Sequence, residues 1–498
     1  MIRMKQSHRH PIKKHTLSRL LAIALAVTLT AIAPCWSRQT ATPISQAAAA
    51  QARLAEEEVA PMREIAEAAL EDFYANFWTG DAKTGHFSEN DPTMVWEAGM
   101  AVLMLRTMYE ATGESEYVDR VNAQWEYWQR FLDDDTITRP GDKPNIACDD
   151  AAWTAMVLMS IYKMTGDQHA LELAGETVRR SYEYWKDGDV ANGLWYRYEG
   201  ALDSNKTPIN NSKSVYAVGL VLTALDYYEE TEGTDLADAA LYEDTLALYG
   251  WMEKALRRDE VKQFPGGKVK TVDGLYWTDF IEGHGPSGLE RPLDIREAGS
   301  VSSLFGNMGM AAVNARLYTL TGEETYRAKA VQTANSLAGS TYNKNGVFLN
   351  DRDAWTNATF VRQYVLEVLP LEGVDPVNYQ LFEGTARSIQ ENCRTEDGYY
   401  RAEWSGGTRW DNGQTTEKQI MTNATTLGML AAAALAEANP APPIAQPTQG
   451  PTAAVTTVPS AATATPTPPT GGTAPAAAVA FATASVFALL FAARKHRR

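Results

Sequence analysis

The feature that most narrows the fold is a phrase that returns along the middle of the chain: Tyr109-Glu-Ala-Thr-Gly113, Tyr162-Lys-Met-Thr-Gly166, Tyr228-Glu-Glu-Thr-Glu-Gly233 and Tyr318-Thr-Leu-Thr-Gly322. Each copy follows an apolar run and precedes an amphipathic one. A glycine at such a junction fits the left-handed residue that ends a helix, so each copy predicts a short turn between two helices. Six runs rich in Ala, Gly, Leu and Met, at 94–111, 150–165, 214–232, 303–321, 357–371 and 422–438, are apolar nearly all round, as helices covered on every side must be. Six others, at 56–78, 115–132, 168–187, 234–258, 323–341 and 375–394, carry charge on one face. The two kinds alternate strictly over residues 56–439, outer helix first and inner helix last. This predicts an all-α body, an (α/α)6 toroid or barrel of inner and outer helices with about 64 residues per pair. An open α-solenoid is the alternative, although its repeats are usually shorter and more uniform.

The two ends read as addresses. Residues 1–40 form a secretory signal in which Arg3, Lys5, Arg9, Lys13 and Lys14 precede the apolar stretch 17–33, with the cleavage point left open. Residues 440–473 are Pro, Thr, Ala and Gly without charge. At ~3.1 Å per residue such a stalk reaches about 100 Å. Residues 474–493 are apolar and about long enough to cross ~30 Å of hydrocarbon. Arg494, Lys495, Arg497 and Arg498 follow, so 474–498 reads as a transmembrane span with a basic tail. Just before it, Thr467-Pro468-Pro469-Thr470-Gly471 resembles the sortase signal Leu-Pro-x-Thr-Gly, with Thr in place of Leu. A sortase acting there links Thr470 to a Gram-positive cell wall; a plain membrane anchor is the alternative. Either reading puts the protein outside the cell.

Charge narrows the partners. Seven of the 45 bases lie in residues 1–40 and four in 441–498, with no acid in either segment, so the body sets 34 bases against 62 acids, a charge of −28. Such a body repels phosphate backbones, which argues against nucleic acid and for a neutral or cationic ligand. Only His86, His169 and His284 lie between the ends, too scattered for a His-rich metal site, and no metal or cofactor is expected. Cys35, Cys148 and Cys393 make no disulfide scaffold, and pairing of Cys148 with Cys393 stays open. A monomer is expected.

The connections from outer to inner helices, 79–93, 133–149, 188–213, 259–302, 342–356 and 395–421, are long, whereas the reverse turns are short. Long loops in a compact domain are usually functional, so one end of the body should carry the site. Five of these loops hold Gly-x-aromatic, ending at Phe87, Trp195, Tyr276, Phe348 and Tyr400, with Tyr196, Tyr198, Trp277, Tyr399, Trp404 and Trp410 nearby. Rings around an acidic cavity suit sugars, whose C–H faces bury against π surfaces; plugging of the helix ends by the five loop rings is the equal alternative. The sixth loop ends instead in Asp149-Asp150-Ala-Ala-Trp153 at the start of an inner helix. One carboxylate suffices as a cap, and two side by side meet the condition for one to serve as acid and the other as nucleophile. Asp133-Asp134-Asp135 reads as a hydrated helix end rather than a calcium site, and Trp125, Tyr127 and Trp128 as packing.

Asp149-Asp150-Ala-Ala-Trp153-Thr-Ala155, followed by Thr165-Gly166-Asp167, resembles the Asp-Asp-x-x-Trp-x-Ala signature of glycoside hydrolase family 76, the endo-α-1,6-mannanases. The resemblance continues through Gly193-Leu-Trp-Tyr196, Asn211-Ser-Lys-Ser214, Gly274-Leu-Tyr-Trp277 and Phe360-Val-Arg362, and spans roughly residues 60–435. Lys213 is followed by Ser214 where the family commonly has Asn, and the 259–302 loop is long. The resemblance implies an (α/α)6 retaining enzyme acting on α-mannan, with Asp149 as nucleophile, Asp150 as general acid/base, and possible transglycosylation. Trp153, Trp195, Tyr196, Lys213, Tyr276, Trp277, Phe348 and Tyr400 are the expected substrate contacts. Another (α/α)6 carbohydrate-active enzyme and a non-catalytic glycan-binding surface protein are the competing readings.

Overall fold

The computed structural model describes residues 60–88, 95–138, 147–196, 212–258, 273–277, 279–281, 291–292, 303–349, 356–405 and 418–440. The signal, nearly all of the stalk and the C-terminal span lie outside these residues. Among the described residues no helix is long and apolar enough to cross a membrane.

Twelve of the described helical segments follow the predicted alternation. The outer set is α1 Met62–Phe77, α3 Ser115–Phe131, α5 Gln168–Trp185, α7 Ala239–Leu256, α9 Glu324–Ala338 and α11 Val377–Asn392. The inner set is α2 Val95–Thr112, α4 Cys148–Thr165, α6 Val218–Thr231, α8 Leu304–Thr321, α10 Val361–Gln363 and α12 Ile420–Ala438. The run at 357–371 departs from a plain helix: after one α turn it widens into a π turn, Tyr364–Val368, in which Leu369 N–H donates to the Tyr364 carbonyl at 3.0 Å. The long connections also carry short antiparallel ribbons: β1 Trp78–Thr79 with β2 His86–Phe87, β3 Lys186–Asp187 with β4 Asp189–Leu194, β5 Ser212–Ser214 with β6 Asp279–Ile281 and β7 Arg291–Pro292, and β8 Asn343–Lys344 with β9 Val347–Phe348.

The recurring phrase works as a hydrogen-bonded clasp. Gly113, Gly166 and Gly322 have φ of 76°, 76° and 73°, and each N–H returns to the tyrosine carbonyl four residues back. The preceding threonine does the rest. Thr112, Thr165 and Thr321 donate their hydroxyls to carbonyls of the last helical turn at 2.7–2.8 Å and accept the N–H two residues ahead at 3.1–3.2 Å. One side chain thus ties the end of an inner helix to the start of the next outer one, which explains Thr before Gly.

Each inner helix packs on the next, α2 on α4, α4 on α6, α6 on α8, α8 on α10, α10 on α12, and α12 on α2. Small residues let them approach closely. A Cβ on Gly99 would lie 2.5 Å from Val157 Cγ2, which only glycine avoids. The seam between first and last helices is polar as well as apolar, with Met62 and Arg63 N–H groups reaching the Glu437 carboxylate at 3.2 and 3.4 Å. These two are orphan donors of the first turn of α1, so Glu437 caps α1 from the far end of the sequence.

Contacts among the inner helices fill the interior. Trp153 of α4 meets Phe305 of α8 and Phe360 before α10, with ring centroids 5.4 and 6.0 Å apart. Deeper along the helices, Arg362 of α10 holds both oxygens of Glu110 of α2, at 3.0 and 2.8 Å, and Arg106 reaches the same carboxylate at 3.1 Å. Arg316 of α8 pairs with Glu367 and Asp226, at 2.7 and 3.1 Å.

Candidate active site

The carboxylate pair sits where the 147–196 segment begins the inner helix α4. Ala147 occupies the cap position and has no side chain to satisfy the helix start. Asp150 supplies what is missing: its Oδ2 accepts the Ala147 N–H at 3.0 Å, while its own N–H donates to the Ala147 carbonyl at 3.1 Å. The neighbouring Asp149 Oδ2 is met by the Tyr196 hydroxyl at 3.4 Å. Both carboxylates are half-buried and stand in the first turn of a helix, whose positive end favours negative charge. Two chemically identical groups therefore have different partners, one on the backbone and one on a phenol.

Aromatic rings extend from the pair. Tyr196 packs edge-on against Tyr216 at 5.7 Å, Tyr216 against Phe305 at 4.7 Å, and Phe305 against Trp153 and Phe360. Tyr196 and Tyr216 keep partial exposure, whereas Trp153, Phe305 and Phe360 are buried. Sequence reasoning missed Tyr216, Phe305 and Phe360 as neighbours of the site. A signal existed: like Trp153, each lies two or three residues into its inner run.

Most of the expected ring contacts have another task. Phe348, Tyr276 and Tyr400 are 0%, 0% and 4% exposed, and Phe87 is 0%. Their backbone N–H groups each donate to a buried polar side chain of a helix: Phe87 to Gln124 at 2.7 Å, Tyr276 to Asn307 at 2.7 Å, Phe348 to Thr385 at 2.9 Å and Tyr400 to Asn423 at 2.7 Å. These rings are pegs that fasten the loops to the helix layers, so Tyr276, Phe348 and Tyr400, expected as substrate contacts, lie within the packing of the body. Trp277 is likewise buried beneath Arg258, whose guanidinium lies 4.5 Å from its ring. Trp153 belongs to the buried cluster under the site. Burial, reinforced by the Glu253 carboxylate, pushes the Tyr276 phenol well above its ordinary value, so it stays a neutral donor. Lys213, expected as a substrate contact, is buried as well. Its ammonium is fully buried, 2.9 Å from Asp187 Oδ2, 2.6 Å from the Asn192 carbonyl and 4.6 Å from the Trp195 ring. Trp195 and Tyr196 are the half-buried members of the expected set.

The remaining motifs resolve as structure. Asp133 accepts the Thr136 N–H at 2.8 Å at the start of a five-residue helix, Asp134 meets His169 and Asp135 meets Arg180. Trp125 and Trp128 are buried in the core. Cys148 and Cys393 are both buried, and the Cys393 thiol donates to the Glu403 carbonyl at 3.3 Å. Among the described residues no group of three His, Cys, Asp or Glu stands together as a metal site.

A helical body that presents two adjacent carboxylates beside aromatic rings is the apparatus of a glycoside hydrolase. Residues 61–271 match the model of Glycosyl hydrolase family 76, and this part of the chain belongs to that family. No curated protein matches. Among solved structures, the fold resembles an inactive variant of an α-1,6-mannanase of Salegentibacter sp. HEL1_6, with two adjacent aspartates replaced by alanine, in complex with α-1,6-mannotetrose. That likeness has a TM-score of 0.56 at 20% identity over 76% of this chain and 99% of the other. The family 76 α-mannanase BT2949 of Bacteroides thetaiotaomicron gives 0.54 at 15% identity over 75% and 96%. The Lin0763 protein of Listeria innocua gives 0.52 at 16% identity over 75% and 97%.

Proposed function

We propose that this protein is an extracellular, retaining glycoside hydrolase that cleaves α-1,6-mannosidic linkages within mannan-type glycans. In this reading the twelve helices close into an (α/α)6 toroid, and the monomer is displayed from the cell surface by its stalk and C-terminal segment, through either sortase linkage or a membrane span. The observation that carries the chemistry is the adjacent pair Asp149 and Asp150, half-buried at one helix start with different partners. The mannanase variant of Salegentibacter, inactive with an adjacent aspartate pair replaced, supports a role for the pair as a whole.

Asp149 attacks the anomeric carbon as Asp150 gives its proton to the leaving glycosidic oxygen, forming a glycosyl-enzyme. Asp150 then takes a proton from water, which attacks the same carbon and frees Asp149. A sugar hydroxyl in place of water makes the second step a transfer. The half-buried Tyr196 and Tyr216 offer ring surface beside the reacting carbon. The test is incubation with linear α-1,6-mannan, following products by size and by ¹H NMR of the new reducing end. The α anomer should appear first, in oligosaccharides of mixed length. A β anomer appearing first would refute retention, and an untouched mannan would refute the substrate.

A further inference from the structure

The proposed mechanism asks Asp149 and Asp150 to behave differently although they are the same residue side by side, so the surroundings must supply the difference. Tyr196 is fixed to the first turn of α4 at two points. Its carbonyl accepts the Cys148 N–H at 2.9 Å, an orphan donor of the helix start, and its hydroxyl stands 3.4 Å from Asp149 Oδ2. The separation is long for an O–H···O bond, as such contacts often are before substrate arrives. The Tyr216 ring holds the Tyr196 ring from the side.

Lys213 explains why Tyr196 stays there. Tyr196 leaves the β3–β4 hairpin directly, one residue after Trp195, whose N–H bonds the Trp185 carbonyl at 2.8 Å. The buried Lys213 ammonium binds Asp187 on β3 and the Asn192 carbonyl on β4, and lies over the Trp195 and Trp251 rings at 4.6 and 5.9 Å. A single buried cation therefore pins both strands of the hairpin and the ring preceding Tyr196.

We infer that Tyr196 is a positioning residue that orients the Asp149 carboxylate for attack, and that Lys213 acts through it by locking the hairpin. This rests on Asp149 being the nucleophile. A phenol donating to one oxygen of Asp149 favours its ionised form and fixes its plane, while Asp150 is fixed separately by the Ala147 N–H.

The test is Tyr196→Phe in the full-length protein, which keeps the ring and removes the donor. On α-1,6-mannan kcat should fall about 10- to 100-fold, the range of a hydrogen bond to a charged group, with KM little changed. The acid limb of the kcat/KM profile should move to higher pH. Lys213→Met should lower kcat in the same direction and add little to Tyr196→Phe when the two are combined. A Tyr196→Phe enzyme with normal kcat and an unmoved acid limb, or with only a raised KM, overturns the inference in favour of a sugar contact. If the wild type does not cleave mannan, the proposed function fails by itself. Titration of the ¹³C-labelled aspartate carboxyls then decides the positioning role without substrate: Asp149 should titrate at higher pH in Tyr196→Phe, and an unchanged curve overturns it.

Discussion

At the residue scale, the two aspartates differ in what else they do. Asp150 closes the start of α4 on the Ala147 N–H, a task an asparagine oxygen can take over, so Asp150→Asn should fold normally. It should lose about 10²–10⁴-fold on mannan and recover the glycosylation step with a leaving group that needs no proton. Asp149→Asn should form no glycosyl-enzyme with either substrate, because an amide is a poor nucleophile. Burst kinetics with an activated aryl mannoside separate the two; a folded Asp149→Asn enzyme of near-normal activity would end the assignment. In the sequence the pair stood out as a second acid at a helix start, and the family resemblance, rather than the two acids alone, gave it a role. The fate of the loop rings was not. Whether Phe348 faces a sugar or a core depends on Thr385 and Phe382 waiting in another helix, and spacing along the chain carries no trace of that.

At the element scale, the Thr-Gly clasp was legible in half. The glycine announced a helix end, but the threonine's two hydrogen bonds emerge only once the turn is built. Gly322, with φ of 73°, should be sensitive to a side chain: Gly322→Ala should cost about 1–2 kcal/mol, the penalty for placing an L-residue there. No atom lies within 4 Å of the added methyl, so the cost is backbone strain rather than a clash. Urea unfolding monitored by tryptophan fluorescence checks this, and an unchanged midpoint would contradict it. The helix order was legible from periodicity, whereas the π turn at Tyr364–Val368 and the β ribbons were not. The apolar run at 357–371 reads the same whether its turn is four residues wide or five, and the two-residue ribbons are too short to show a period of their own, although pegs such as Phe87 and Phe348 fasten them to helices.

At the scale of the whole molecule, the charges inside the helix circuit make stability depend on pH. Burial raises the Glu110 carboxyl, but Arg362 and Arg106 outweigh it and hold the group below its ordinary value of 4.5. A depressed carboxyl contributes stability above its unfolded value and loses it as pH falls through the folded one. Glu110→Gln should cost about 3 kcal/mol at neutral pH, the lower end for breaking a buried pair, because 25% of the side chain remains exposed. That gap should narrow as pH falls below 4.5, which denaturant titrations across pH 3–7 would reveal; a constant gap would refute the coupling. Removing residues 441–498 should leave turnover on soluble mannan intact, because α12 ends at Ala438 and already packs on α1 and α2. A truncated protein that folds but does not turn over would contradict this.

Glu437 carries one more implication. Because a side chain near the last helical turn caps the first helix, the folded body begins and ends at the same place. A short peptide bridging residues 439 and 61 would have little distance to cover, and new ends could be opened at the exposed turn around Gly233, which follows the C-terminal end of α6, whereas Asp149 and Asp150 stand at the N-terminal end of α4. Such a circular permutant should keep every helix pair and the carboxylates unchanged. Where the chain starts is then adjustable, so a fusion partner or a surface attachment can be moved around the body without touching the chemistry.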